Sequence, residues 1–130
     1  MLSKKERKQL VYLGLSFIWG SLIFYLSSLS DLNSGFSFFY DFILRKLAHI
    51  FVFFVLTYLV AKSLDTIKRL HLWFIIIAVI YYAFIDEMHQ ADIDTRNGNY
   101  ADILIDSIGI FFGILLFEKQ KTPKKGVDII

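Results

Sequence analysis

The residues of this chain that could do chemistry fall into three short groups. Asp86-Glu87-Met88-His89-Gln90 offers two carboxylates, an imidazole and an amide in a row. Arg45, Lys46 and His49 form a second group, and Asp102 and Asp106 a third, with Arg96 between. On helices, each group would line one face. Arg45 and His49 are four apart and Lys46 and His49 three; Asp86, His89 and Gln90 sit at i, i+3 and i+4; Asp102 and Asp106 are four apart. Such an inventory suits acid–base chemistry on an anionic ligand. Glu87, His89 and His49 are candidate acids or bases, with Asp102 or Asp106 to orient and tune a histidine. Lys46, Arg45 and Arg96 can hold an anionic group such as a phosphate through charge-assisted hydrogen bonds. Gln90 and Asp86 are further ligand-binding candidates. His49, Glu87, His89 and Asp106 are also metal-ligand types. A divalent metal is conceivable there, but their spacing matches no known metal signature, so the sequence assigns no metal site and leaves the cofactor unknown.

What positions these groups is a strongly apolar chain. Of its 130 residues, 56% are hydrophobic, with 14 Phe, 7 Tyr and 2 Trp, and the mean hydropathy is +0.56. A soluble domain of this size is more polar. Cysteine is absent, so disulfides and thiolate metal sites are excluded. The runs without charge are long. Gln9–Leu29 has 21 uncharged residues, enough to cross a bilayer core, and no small-residue cleavage site follows it, which reads as a retained span. Gly14, Ser16, Gly20 and Ser21 could seat a neighbouring helix on it. The sequence therefore predicts an all-α membrane protein, a single four-transmembrane-helix bundle over 1–130, with spans at about 9–29, 44–62, 70–90 and 101–117 and a basic cytoplasmic tail at 118–130. Between the first two spans, SDLNSG signals a turn, and the aromatic stretch after it suits an interfacial segment.

Charge sets the orientation. The N-terminus, the 62–70 loop and the tail hold 11 of the 14 Lys and Arg. By the positive-inside rule both termini are cytoplasmic, and residues 30–46 and 86–102 face outward. All three polar groups then lie at the outer end. Counted at 1.5 Å per residue from the inner boundary, His49 is about 20 Å up, Asp106 about 18 Å and His89 about 28 Å, in a hydrocarbon core about 30 Å thick. The site is thus expected within the outer leaflet. Single residues have plainer readings. Arg45 and Lys46 can snorkel to headgroups, His49 can bond a neighbouring helix, Asp92 and Asp94 read as solvated loop charges, and His71 is at the opposite face. Asp106 needs a partner at its depth, with Lys46, His49 or Arg96 available.

As an ordered set, Lys46-Leu47-Ala48-His49, then Asp86–Gln90, Arg96 and the stretch Asp102–Gly113 (DILIDSIGIFFG) resemble the VanZ-like family, over about residues 9–117. These are small bacterial membrane proteins typified by an accessory resistance protein against teicoplanin-type glycopeptides. The resemblance implies the bacterial plasma membrane, a role at the cell envelope, and lowered susceptibility to lipid-anchored glycopeptides. Family members often carry phenylalanine-valine-proline-glycine-arginine after the second motif. Here ADIDTR stands instead, keeping Arg96 without the proline and glycine.

Three kinds of function follow. The outer site could bind or modify a membrane lipid, a lipid-linked envelope precursor or a lipoglycopeptide. The polar cluster could be a non-catalytic network that fixes the helices. A small oligomeric transporter would need a polar path to the cytoplasmic side, which the sequence lacks. Nothing supports nucleic-acid binding, since the basic ends suit orientation and anionic headgroups.

Overall fold

A computed structural model of the chain describes residues 1–29, 35, 37–92 and 99–122. It contains α1 (Lys4–Ser28), α2 (Phe38–Leu64), α3 (Arg69–Ala91) and α4 (Asp102–Lys121), with no strand among the described residues. The all-α class expected from the sequence holds. By length and composition, α1, α2 and α3 can each cross a membrane. The 20 residues of α4 would reach about 30 Å at 1.5 Å per residue. Its composition alone does not mark it as a span, because Asp102 and Asp106 open it and Glu118, Lys119 and Lys121 close it.

The helices run past their expected bounds, for local reasons. At α1, Ser3 and Glu6 form a reciprocal capping box, with Glu6 N donating to Ser3 Oγ (3.2 Å) and Ser3 N to Glu6 Oε2 (2.7 Å). The helix therefore starts at Lys4, not near residue 9. Phe38–Ile43 is helical and forms the start of α2. No helix breaker lies in it, Asp41 suits the positive end of the helix dipole, and Asp41 also pairs with Arg45 one turn on. At the far end, Asp65 takes a left-handed conformation (φ 51°) and stops α2. Helix α4 continues to Lys121. Thr122 after it is extended, as the following Pro123 favours. The remainder of the expected tail, 123–130, lies outside the described residues.

Successive helices alternate in direction, so α2 and α4 run parallel. Lys5 and Lys121 both meet the Asp65 carboxylate, which brings the start of α1, the end of α2 and the end of α4 to one end of the bundle. The core is built from stripes at helical spacing: Phe53, Leu56 and Ala61 on α2, Leu72, Ile75, Val79 and Ala83 on α3, Ile110, Ile114 and Phe117 on α4, with Ile23 from α1. Outside it, large apolar side chains such as Phe17, Ile18, Trp73, Phe74 and Phe111 are more than half exposed. That surface would be a liability in water and is ordinary in lipid.

The closest helix pair is α2 with α4. A Cβ on Gly109 would collide with the carbonyl of Ile50, and one on Gly113 would come within 2.8 Å of Phe54 O and 2.9 Å of Thr57 Cβ. These two glycines, one turn apart, let the backbones touch. The small residues of α1 do less of this than their spacing suggests. Ser16 is buried and Gly20 faces Tyr82 and Leu56, but Ser21 is exposed and Gly14 meets nothing within 4 Å. Instead, α1 is held by hydrogen bonds part-way along its length. Trp19 Nε1 donates to Val52 O (2.9 Å), and the Tyr82 hydroxyl donates to Gly20 O.

Candidate functional site

The apolar stripes do not end; they change character. On α3 the face carrying Leu72, Ile75, Val79 and Ala83 continues as Asp86, Glu87 and Gln90, all buried. On α4 the face carrying Gly109, Ile110 and Gly113 begins with Asp102 and Asp106, also buried. On α2 the stripe through Phe53 and Leu56 starts at Lys46 and His49. The same helix spacing that builds the core therefore turns these polar side chains inward at one end of the bundle.

Close packing of α2 on α4 sets their register. Lys46 Nζ meets Asp102 Oδ1 in an ion pair. One turn deeper, His49 Nδ1–H donates to Asp106 Oδ1 (2.8 Å). Helix α3 supplies the third wall. Glu87 Oε2 accepts the backbone N–H of Asn99 (3.0 Å), just ahead of α4. Asp86 Oδ2 accepts from Gln90 Nε2 (2.9 Å), which also reaches Ser27 Oγ on α1 (3.4 Å).

What these contacts leave over is as informative as what they use. Asp86 Oδ1, Glu87 Oε1 and Asp106 Oδ2 are buried and have no hydrogen-bond partner. Asp86 and Glu87 are each 1% exposed and Asp106 is fully enclosed. One nitrogen of His49 and one oxygen each of Glu87 and Asp106 lie within 4.8 Å of one another. Buried polar atoms are almost always satisfied, so three orphaned carboxylate oxygens on neighbouring helices set this end of the bundle apart.

Not every candidate joins this cluster. His89 is turned to α1, where it stacks on Phe24 (4.2 Å between ring centres) and its Nε2 bonds Ser28 Oγ (2.7 Å). Arg45 is at the rim, paired with Asp41 (3.0 Å) and with its side chain 44% exposed. Arg96 lies outside the described residues, as does Asp94. His71 is at the opposite end and bonds Thr66 (3.1 Å). Four participants escaped the sequence reading. Asp41 had a signal, being four residues before Arg45. Ser27 and Ser28 could have been found by their place at the outer end of the first span. The Asn99 amide had none, because every residue carries one. A groove of about 490 Å³ opens at the other end, lined by Lys4, Arg7, Lys8, Tyr12 and Lys62. It gathers cationic and apolar side chains but none of the buried acids.

Comparison with known proteins agrees with this picture at the level of family. The family described as VanZ/LLP1 matches residues 4–119, nearly the whole bundle. An uncharacterized membrane protein of Bacillus subtilis (strain 168), YwnJ, is 35% identical over 83 residues. That match covers 62% of this chain and 55% of YwnJ, so the chain aligns with about half the length of that relative. No solved structure matches.

Proposed function

The chain belongs to the VanZ/LLP1 family and is a membrane protein; from that premise we propose that its buried polar end receives the anionic headgroup of a membrane lipid or a lipid-linked wall component, on the extracytoplasmic side. The observation that carries this reading is the set of unpartnered buried oxygens on Asp86, Glu87 and Asp106, which can accept from the hydroxyl or ammonium donors that such a headgroup carries beside its phosphate. Groups of this kind are costly at membrane depth and mark binding or reaction sites by default. Lys46 and Arg45 at the rim supply the cationic contacts for an anionic headgroup. The charge bias of the loops supports an outward orientation for this end. A lipid-linked ligand there would connect the site to the envelope and to altered susceptibility to teicoplanin-type glycopeptides.

The test is to purify the full chain with bound lipid and measure retention of phosphatidylglycerol and of polyprenyl-linked wall precursor. Lys46→Gln and Glu87→Gln should fold and lose retention. In cells that carry the gene, the same variants should lose any effect on teicoplanin susceptibility. A second reading has its own support, because Lys46–Asp102 and His49–Asp106 tie α2 to α4 and so stabilise the bundle. On that reading the variants lower thermal stability in detergent and leave lipid retention unchanged.

A further inference from the structure

We infer that His49, Glu87 and Asp106 together hold one divalent transition-metal ion, with zinc as its diagnostic occupant. This deepens the reading above, resting on it for the ligand the ion would meet but not for the binding of the ion.

Four observations converge. The first is the donor set. A nitrogen and two carboxylate oxygens from α2, α3 and α4 lie within 4.8 Å of one another. Zinc bonds of about 2.0–2.2 Å put ligand atoms roughly 3.5 Å apart around a shared ion, so small side-chain movements close the site. The second is the division of labour within each carboxylate. Glu87 Oε2 takes the Asn99 N–H and Asp106 Oδ1 takes the His49 Nδ1–H, while Glu87 Oε1 and Asp106 Oδ2 have no donor. The Asn99 amide is an outer contact that anchors Glu87 and leaves its other oxygen to bind. The His49–Asp106 contact joins two members of the set, so the ion would take the place of the proton they share.

The third is charge. Asp86, Glu87, Asp102 and Asp106 are all buried at this end, and the Lys46 ammonium is already engaged by Asp102. Unpaired carboxylates in a low-dielectric interior are strongly unfavourable, and a dication answers that directly. The fourth is the ligand count. Three protein donors leave a zinc ion an open position, as in catalytic sites. A phosphate oxygen of a lipid headgroup is a natural occupant of that position, which would bring an anionic ligand to an acidic cluster. His89, a ligand type by sequence, is held by Phe24 and Ser28 and is not part of the set.

The experiment uses the full chain without a polyhistidine tag, purified in detergent. Its metal content is measured directly. The chelated protein is then titrated with zinc chloride, followed by competition with a chromophoric chelator and by thermal unfolding through Trp19 and Trp73. Zinc reports on the site even if a weaker-binding ion such as manganese occupies it in the cell, because zinc stands above manganese in the order of affinities. The expected result is saturable binding of about one equivalent per chain and a raised unfolding temperature. Glu87→Gln and Asp106→Asn should each weaken zinc affinity by at least about tenfold. His71→Gln, at the opposite end of the bundle, should keep the stoichiometry and the affinity. No saturable zinc binding to the chelated wild type, or unchanged affinity in both Glu87→Gln and Asp106→Asn, overturns the inference. Should those variants fail to fold, the wild-type titration decides. Lipid retention is read separately. Retention that depends on Lys46 without any metal would sink the metal site and spare the functional reading, and metal without lipid would do the reverse.

Discussion

Asp106 is fully buried, and its two oxygens have opposite fates. Oδ1 takes the His49 ring N–H and Oδ2 has no partner. Removing His49 orphans both, which costs about 1–3 kcal/mol for each buried group left unsatisfied. A double-mutant cycle with His49→Ala and Asp106→Ala, read by unfolding in detergent, should give a coupling energy of about 0.5–3 kcal/mol; a value near zero would mean that the contact is incidental. The two cations beside it should differ. Arg45 is paired at the rim with its side chain 44% exposed, where such pairs are worth about 0.2–1 kcal/mol. Lys46 is 24% exposed on a buried aspartate, and its loss leaves Asp102 uncompensated. Lys46→Gln should therefore lower the unfolding temperature more than Arg45→Gln. The sequence singled out Lys46, His49, Asp102 and Asp106 because helical spacing put each set along one helix face, and Glu87 because it stands in the Asp86–Gln90 run, where the spacing grouped Asp86 with His89 and Gln90. It did not separate His89 from them. Adjacent to the same face, His89 is claimed by Phe24 and Ser28 through contacts between helices, which spacing along one helix cannot report.

Among the elements, α4 decides whether the site exists. Its glycines let it lie on α2 in the register that pairs Asp102 with Lys46 and Asp106 with His49. Gly109→Leu or Gly113→Leu drives a side chain into the α2 backbone, where overpacking costs about 1–3 kcal/mol or more. The unfolding temperature should fall, and ligand or zinc binding should fall with it, because the register is lost. Gly14→Leu on α1 is the control. Its Cβ meets nothing within 4 Å, so stability should hold. An equal loss at Gly14 and Gly109 would argue against close α2–α4 packing. From the sequence, the small residues of α1 were the ones read as a seat for a neighbouring helix. Both stripes have suitable spacing, and only the partner surface tells which one a helix backbone approaches.

At the scale of the whole molecule, the bundle has a polar end and a basic end, and orientation gives them their meaning. The chain has no cysteine, so single-cysteine variants report cleanly. Ser34→Cys should react with a membrane-impermeant thiol reagent added to intact cells, and Lys68→Cys should react only after the membrane is opened. The reverse pattern would turn the site toward the cytoplasm. By itself, the sequence determined the class of the molecule, the existence of its helices, and the residues of α2, α3 and α4 whose types could carry chemistry. These are local properties: apolar run length against bilayer thickness, and side chains repeating at helical spacing. Only the tertiary structure decided where α2 begins, which helices touch at their backbones, that His89 turns to α1, and that single oxygens of Glu87 and Asp106 are left without partners. Those facts depend on distances between atoms remote in sequence, which packing sets and no local pattern encodes.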